Sequence, residues 1–372
     1  MAWVLARTLP FIGLYGFDSL RDSAIVMYGG FAFIVIGLLL EDARRIDTLL
    51  RYYGMFLVAF PAIPIGFWLT YYGREDYIPR LWGPVPIVEI GASAVGTHLA
   101  GSMVFVLTRR RKVSFVWVVV WFATLALVGA SNRGATLAAL CPVVFAMLML
   151  GRLRLLLTTM VVALSIFAVL FAVEGTILQH TESERTIDRR TLSAHQIAEN
   201  AKSIVGESGQ QTEGTKKWRL NWWNILINET LYGPSYWTGR GFAINLADAD
   251  GYGSTDPRHP NPPLRSPHNA HMTLLAGGGV PGVMLWSVML MCWAGTLLNA
   301  MICARVRGHE RWVELFLFTF CYAVSILINA PFDVTLEGPM QGIWFWCLFG
   351  FGIGSVMIYR AQYANEIGAV AR

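Results

Sequence analysis

The chain has 372 residues, is 55% hydrophobic, carries only 14% charged residues and has a mean hydropathy of +0.49. Soluble domains hold about 25% charged residues, so this deficit, with apolar runs of about 18 residues recurring along the chain, excludes a soluble domain and predicts a helical integral membrane protein. The short alternating segments of a barrel are absent, and the net charge of +5 comes without any nucleic-acid motif.

Ten spans are predicted, near 2–17, 23–40, 49–71, 83–107, 113–130, 135–151, 154–173, 272–302, 312–331 and 339–359. The expected fold is therefore an all-α, polytopic transmembrane bundle. The first span is short, carries Arg7 and lacks a small-residue cleavage site after it, so it reads as a permanent span rather than a signal peptide. One set of short connections holds Arg44, Arg45, Arg109, Arg110, Arg111, Lys112, Arg152, Arg154, Arg305, Arg307 and Arg311; the alternate set holds only Arg21, Arg74, Arg80 and Arg133. The positive-inside rule then places both termini in the cytoplasm. It puts one large loop between spans seven and eight on the outside. Three regions follow: N-terminal helices over 1–173, an external loop over 174–271 that carries the site, and C-terminal helices over 272–372.

Pro61, Pro64, Pro84 and Pro86 interrupt backbone hydrogen bonding in the third and fourth spans, which lipid tolerates only where protein or water satisfies the freed groups. Glu89 and His98 in the fourth span are intramembrane ionisable groups, but nine residues apart they face opposite sides of a helix. The five cysteines fall in or beside apolar runs and read as small hydrophobes. In the external loop, 174–190 is charged and partly helical by pattern, and 199–215 is a polar, Gly-rich and Ser-rich stretch. Lys216 to Ile227 is basic and aromatic at helical spacing, suited to the membrane interface. Tyr232 to Arg265 reads as a packed irregular loop.

Three clusters on the external side could carry chemistry. Arg133 stands in the tight turn Ser131–Ala135, Arg219 in the tryptophan-rich helix, and His268 with Asn269 at the return to the membrane. Each also has a plain reading: the arginines as interfacial anchors, the histidine as a cap or surface residue. Arginine keeps its charge and grips phosphate with paired donors, while histidine accepts a proton near neutral pH. Together they suit holding a lipid-linked diphosphate while activating an alcohol to displace it. A zinc site from His259, His268 and His271 has no defensible spacing, and Asp248, Asp250 and Asp256 lack the placement of a paired-carboxylate glycosidase.

These residues resemble the O-antigen ligase and Wzy-type polymerase superfamily. Asn132-Arg133-Gly134-Ala135 is similar to its Ser-Arg-Gly-Ala turn. Arg219 with Trp222 or Trp223 is similar to its Arg-then-Trp helix, and Gly239-Arg240-Gly241-Phe242 to its Gly-x-Gly element. Pro267-His268-Asn269 followed by Leu274 to Gly282 is similar to its His-Asn signature and Gly-x-x-Gly helix. The ordered set covers about 125 to 355 and departs at Asn132 (usually serine), Arg240 (usually apolar) and Met272 (usually leucine). Family members often have more spans ahead of this region, so an abbreviated N-terminal part is expected.

The resemblance implies a metal-independent, cofactor-free, inverting glycosyltransferase of the bacterial inner membrane with its site facing the periplasm. The donor would be a glycan on undecaprenyl diphosphate and the acceptor lipid A core or another glycan. His268 would be the base, with Arg133, Arg219 and Arg240 on the diphosphate and Asn269, Trp222 and Trp223 in support. Ligation of O-antigen to lipid A core leads. Polymerisation of a lipid-linked repeat unit, protein O-glycosylation and, from another class, polysaccharide transport stay open.

Overall fold

A computed structural model describes residues 1–71, 77–82, 85–86, 90–179, 197–198, 210–253 and 264–364. Glu89, Asp256, His259, 180–190 and most of 199–215 lie outside the described residues. The fold is helical: α1 Ala2–Tyr15, α2 Phe17–Met27, α3 Gly30–Glu41, α4 Arg45–Ala59, α5 Ala62–Tyr71, α6 Ala92–Thr108, α7 Phe115–Ser131, α8 Arg133–Met149, α9 Leu153–Gln179, α10 Gln210–Leu231, α11 Leu246–Ala249, α12 Ala270–Val306, α13 Glu310–Asn329 and α14 Pro339–Gln362. Among the described residues the one extended element is a small antiparallel ladder pairing β1 Arg80–Trp82 with β2 Val85–Pro86.

Four helices (α9, α12, α13 and α14) are long and apolar enough to cross a bilayer. That becomes up to six if each bent pair, α2 with α3 and α4 with α5, makes one span; α1, α6, α7 and α8 are shorter apolar helices. The chain thus reads as a multi-pass membrane protein with four to six candidate spans among the described residues by length and composition, where apolar runs alone predict ten. Two differences have local causes. The run 23–40 is not one rod: it bends by 43° between Met27 and Gly30, where Gly29 leaves no room for a side chain against the Val26 carbonyl. In the run 83–107 the described helix begins at Ala92; Pro84 and Pro86 cannot supply backbone donors, and Pro86 falls in the β ladder instead.

The described chain divides into two compact units, Met1–Asp47 with Gly214–Arg372, and Thr48–Glu213. In the second unit α6 packs along α8, with α7, α5 and α9 beside them. Gly96 lies on the Ala135 carbonyl, and Ala100, Ala138 and Ala139 are fully buried, so small residues let the helices approach. His98 packs edge-on against Phe56 and Phe60, with ring centroids 5.7 and 4.9 Å away.

In the first unit α3 packs along α14, and α12 contacts α13, α14 and α1. The Trp346 indole donates to the Ile25 carbonyl at 2.8 Å, tying the bent α2–α3 pair to α14. Trp293 is buried between α12, α13 and α14, stacked on Phe320 and Phe349. The surface of α9 from Leu153 to Val173 is almost entirely exposed and apolar, the character of a lipid-facing helix. The five cysteines are free; Cys321 is buried, whereas Cys141 and Cys292 lie on exposed helix faces.

Candidate functional site

The site region in the first unit is built on α10. Trp218, Trp222 and Leu226 recur every four residues and therefore share one helical face. Trp222 and Leu226 are fully buried with Leu246, Ala247 and Ala276, and Trp218, Tyr252, Leu264 and Met272 pack around them. Each such burial contributes about 1.5–3 kcal/mol. Trp222 stacks on Tyr252 at 4.8 Å, and its indole donates to Asp250 Oδ2 at 2.7 Å. The expectation of headgroup-facing aromatics therefore does not hold for Trp222, which belongs to a protein core under the loop.

Two glycine-bearing elements fix that loop to α12. Gly279 breaks the helix with φ +67°. Into the break fits Gly239, at φ +62°, where an added Cβ would come within 2.5–2.7 Å of the backbone at Gly279, Gly277 and Ala276. The Arg240 and Gly241 amides donate to the Ala276 and Gly277 carbonyls at 2.7 and 3.1 Å, and the Val280 amide returns a bond to the Tyr236 carbonyl at 2.9 Å. The α1 helix adds two anchors: the Trp3 indole on the Gly278 carbonyl at 2.8 Å and Arg7 Nε on the Thr238 carbonyl at 2.6 Å. The charge of Arg7 in an otherwise apolar helix is thus spent on the loop.

His268 directly precedes α12. Asn269 is the N-cap, its side-chain oxygen accepting from the amides of His271 and Met272 at 3.0 and 3.2 Å. His268 itself adopts φ +51°, a left-handed conformation uncommon for a side chain of this kind. Its ring lies 6.4 Å from that of Trp218, and Nδ1 is 3.7 Å from Asp333 Oδ1. That is longer than a hydrogen bond but within ion-pair reach once the ring is protonated. On the same face Trp223 donates to the Pro267 carbonyl at 3.0 Å, and Arg219 Nη1 donates to the Phe332 carbonyl at 2.9 Å. Arg219, Trp223 and His268 therefore meet around the α13–α14 connection.

Two predicted arginines remain. Arg240 is only 7% exposed, and its guanidinium bonds Asp250 at 2.6 Å and Glu229. The expected phosphate contact meets a guanidinium already engaged by two carboxylates, whose partnership across 10 and 11 residues of loop leaves no sequence pattern. Arg133 belongs to the second unit, where it is the first residue of α8. Asn132 caps that helix by accepting from the Ala135 amide at 3.0 Å, and its amide group reaches Ser93 Oγ at 3.4 Å. A capped helix N-terminus beside an arginine is suited to an anion.

Beside His268 opens a cavity of about 410 Å³. Sequence reasoning missed two of its features. Arg265 is ion-paired with Asp18 at 3.3 Å and Asp22 at 3.0 Å. Glu337 accepts from Thr273 Oγ1 at 2.8 Å and from Ser266, and its carboxyl is pushed above the usual range chiefly by burial. The sequence signal existed: the α13–α14 connection carries two acids, Asp333 and Glu337, and no base. Among the described residues no group of three His, Cys, Asp or Glu side chains could hold a metal ion.

Residues 118–287 match the family model Wzy_C, described as O-antigen ligase. The motif resemblance is to this family. The match spans Arg133, Arg219, Arg240, His268 and both glycine elements, so the residues singled out by their chemistry fall inside the family's domain. It points to glycan transfer of the ligase or polymerase type on a multi-pass membrane protein. No curated protein matches the chain.

Proposed function

We propose that this protein is an inverting, metal-independent glycosyltransferase that moves a glycan from undecaprenyl diphosphate to an acceptor hydroxyl, with O-antigen ligation to lipid A core as the reaction. The observation carrying this reading is the meeting of Arg219 and His268 at the α13–α14 connection, within a segment matching the O-antigen ligase family. In the reaction, His268 takes the acceptor proton as the hydroxyl oxygen attacks the anomeric carbon. The bond to the diphosphate oxygen breaks from the opposite face, inverting the centre. Asp333 stabilises the imidazolium that forms, the part a carboxylate plays behind a histidine base.

Arg219, together with Arg133 of the family's Arg-Gly-Ala turn, takes up the negative charge of the departing diphosphate, the largest share of the barrier lowering. Asn269 holds His268 in place through the helix cap, and Trp222 and Trp223 hold α10. Arg240 serves as a brace between Glu229 and Asp250. The site segment 174–271 faces the periplasm from an inner-membrane bundle whose termini are cytoplasmic, the arrangement supported by the distribution of basic residues in short connections.

The test is transfer by purified protein from a labelled undecaprenyl-diphosphate glycan, offered lipid A core or repeat units as acceptor. Label on lipid A core is the expected result. Label only in lengthened lipid-linked chains would make the protein a polymerase, and label appearing across the membrane without a new glycosidic bond would make it a transporter.

A further inference from the structure

The charges that line the cavity beside His268 are paired. Its two arginines, Arg21 and Arg265, are both committed: Arg21 to Asp18 and Asp22 at 3.1 Å each, Arg265 to the same two carboxylates. Glu337 on the same wall adds a carboxyl that is held by Thr273 and Ser266 and lies within electrostatic reach of His268 and Asp22. Cations neutralised in this way leave nothing for a diphosphate, which needs uncompensated donors with positive charge. A neutral, hydroxyl-rich molecule meets no such penalty. It finds unused hydrogen-bonding capacity, since a carboxyl group offers about four lone-pair sites and two are occupied.

Size and placement agree with this. About 410 Å³ lies within the range of small-molecule sites. Phe242 and Leu264 supply an apolar wall for the carbon face of a ring. His268 lines the cavity whereas Arg219 does not, so a hydroxyl bound there can reach the imidazole without entering the arginine cluster.

We propose that this cavity is the acceptor subsite, binding one sugar unit of the acceptor glycan through Glu337 and Ser266. The inference rests on the glycan-transfer reading and divides the two substrates around His268: diphosphate by Arg219, acceptor sugar by Glu337.

The experiment is equilibrium binding to the full chain in detergent, with two probes: deacylated lipid A core oligosaccharide, which carries the acceptor sugars, and undecaprenyl diphosphate, which carries none. Glu337→Gln keeps the side-chain shape, and the expected result is about tenfold weaker oligosaccharide binding, the loss of one charge-assisted hydrogen bond. Undecaprenyl diphosphate affinity should stay within about twofold, since no contact to it changes. Ser266→Ala should weaken the oligosaccharide in the same direction and by less. Failure of the wild-type protein to bind the oligosaccharide, unchanged affinity in both variants, or a parallel loss of undecaprenyl diphosphate binding would each overturn the assignment. If His268→Ala kept full transfer while oligosaccharide binding still depended on Glu337, the base assignment would fall and the subsite would stand.

Discussion

Two asparagine-capped helix starts present the two best-placed candidate residues, and they do so in opposite ways. Asn132 and Asn269 have nearly the same extended backbone, with φ −146° and −153°, and each accepts from amides of the first turn behind it. Arg133 follows its cap and is an ordinary helical residue. His268 precedes its cap and is forced to φ +51°. One cap therefore places a long, always-charged side chain on a regular scaffold, where reach supplies the adjustment. The other holds a short ring in an unusual backbone conformation, where position is everything. The first arrangement would suit the proposed phosphate grip, and the second the proposed proton transfer with its narrow distance window.

The largest effect expected is at the histidine. His268→Ala should lower transfer by about 10²–10⁴-fold, the contribution of a positioned general base, while expression and membrane insertion persist. Transfer at the wild-type rate would remove the contrast altogether. Next is Arg133→Lys, which keeps the charge and loses the paired donors. The expected cost is about ten- to a hundredfold in kcat/KM for the lipid-linked donor, measured as initial rates. Retained activity there would leave Arg133 as an interfacial anchor.

The caps themselves give a finer comparison. Asn132→Ala and Asn269→Ala should each destabilise the detergent-solubilised protein by about 1 kcal/mol, seen as similar shifts in thermal unfolding. Only Asn269→Ala should also slow transfer at saturating substrates, because it releases the backbone that aims His268. Equal activity losses would mean that both caps act through stability alone. The smallest effect concerns Glu337. Its folded-state proton affinity is raised by burial, so the protonated acid favours the fold and stability declines as pH climbs through the raised value. Glu337→Gln should flatten that decline in pH-dependent melting curves.

Hydropathy was enough to read the helices, because lipid imposes one rule on every span: bury the backbone bonds and show apolar side chains; the likeness to a family came from ordered motifs. The same rule hides breaks. Nothing in an apolar count distinguishes a straight run from one bent at Gly29, or a span beginning at Pro84 from one beginning at Ala92. The candidate residues stand out where chemistry is scarce: one arginine in a tight turn, one histidine beside an apolar run. Their partners were not. Arg240 looked like a phosphate ligand because Glu229 and Asp250 reach it only through the folded loop. Glu337 leaves no mark in a count of basic residues in short connections, although the two acids of its connection are visible in the sequence. Trp222 looked interfacial because a stripe of aromatics reads alike whether it meets lipid headgroups or a Tyr252 ring.

Gly239 seated in the break at Gly279 makes the loop and α12 a single mechanical part. Backbone touches backbone there with no side chain to act as a spacer, so the loop cannot lift away while the helix stays still. Any opening that admits a bulky polyprenyl donor must then either carry the upper turn of α12, and His268 with it, or take place in other segments. Moving this part of the loop would therefore displace the residue proposed as the base.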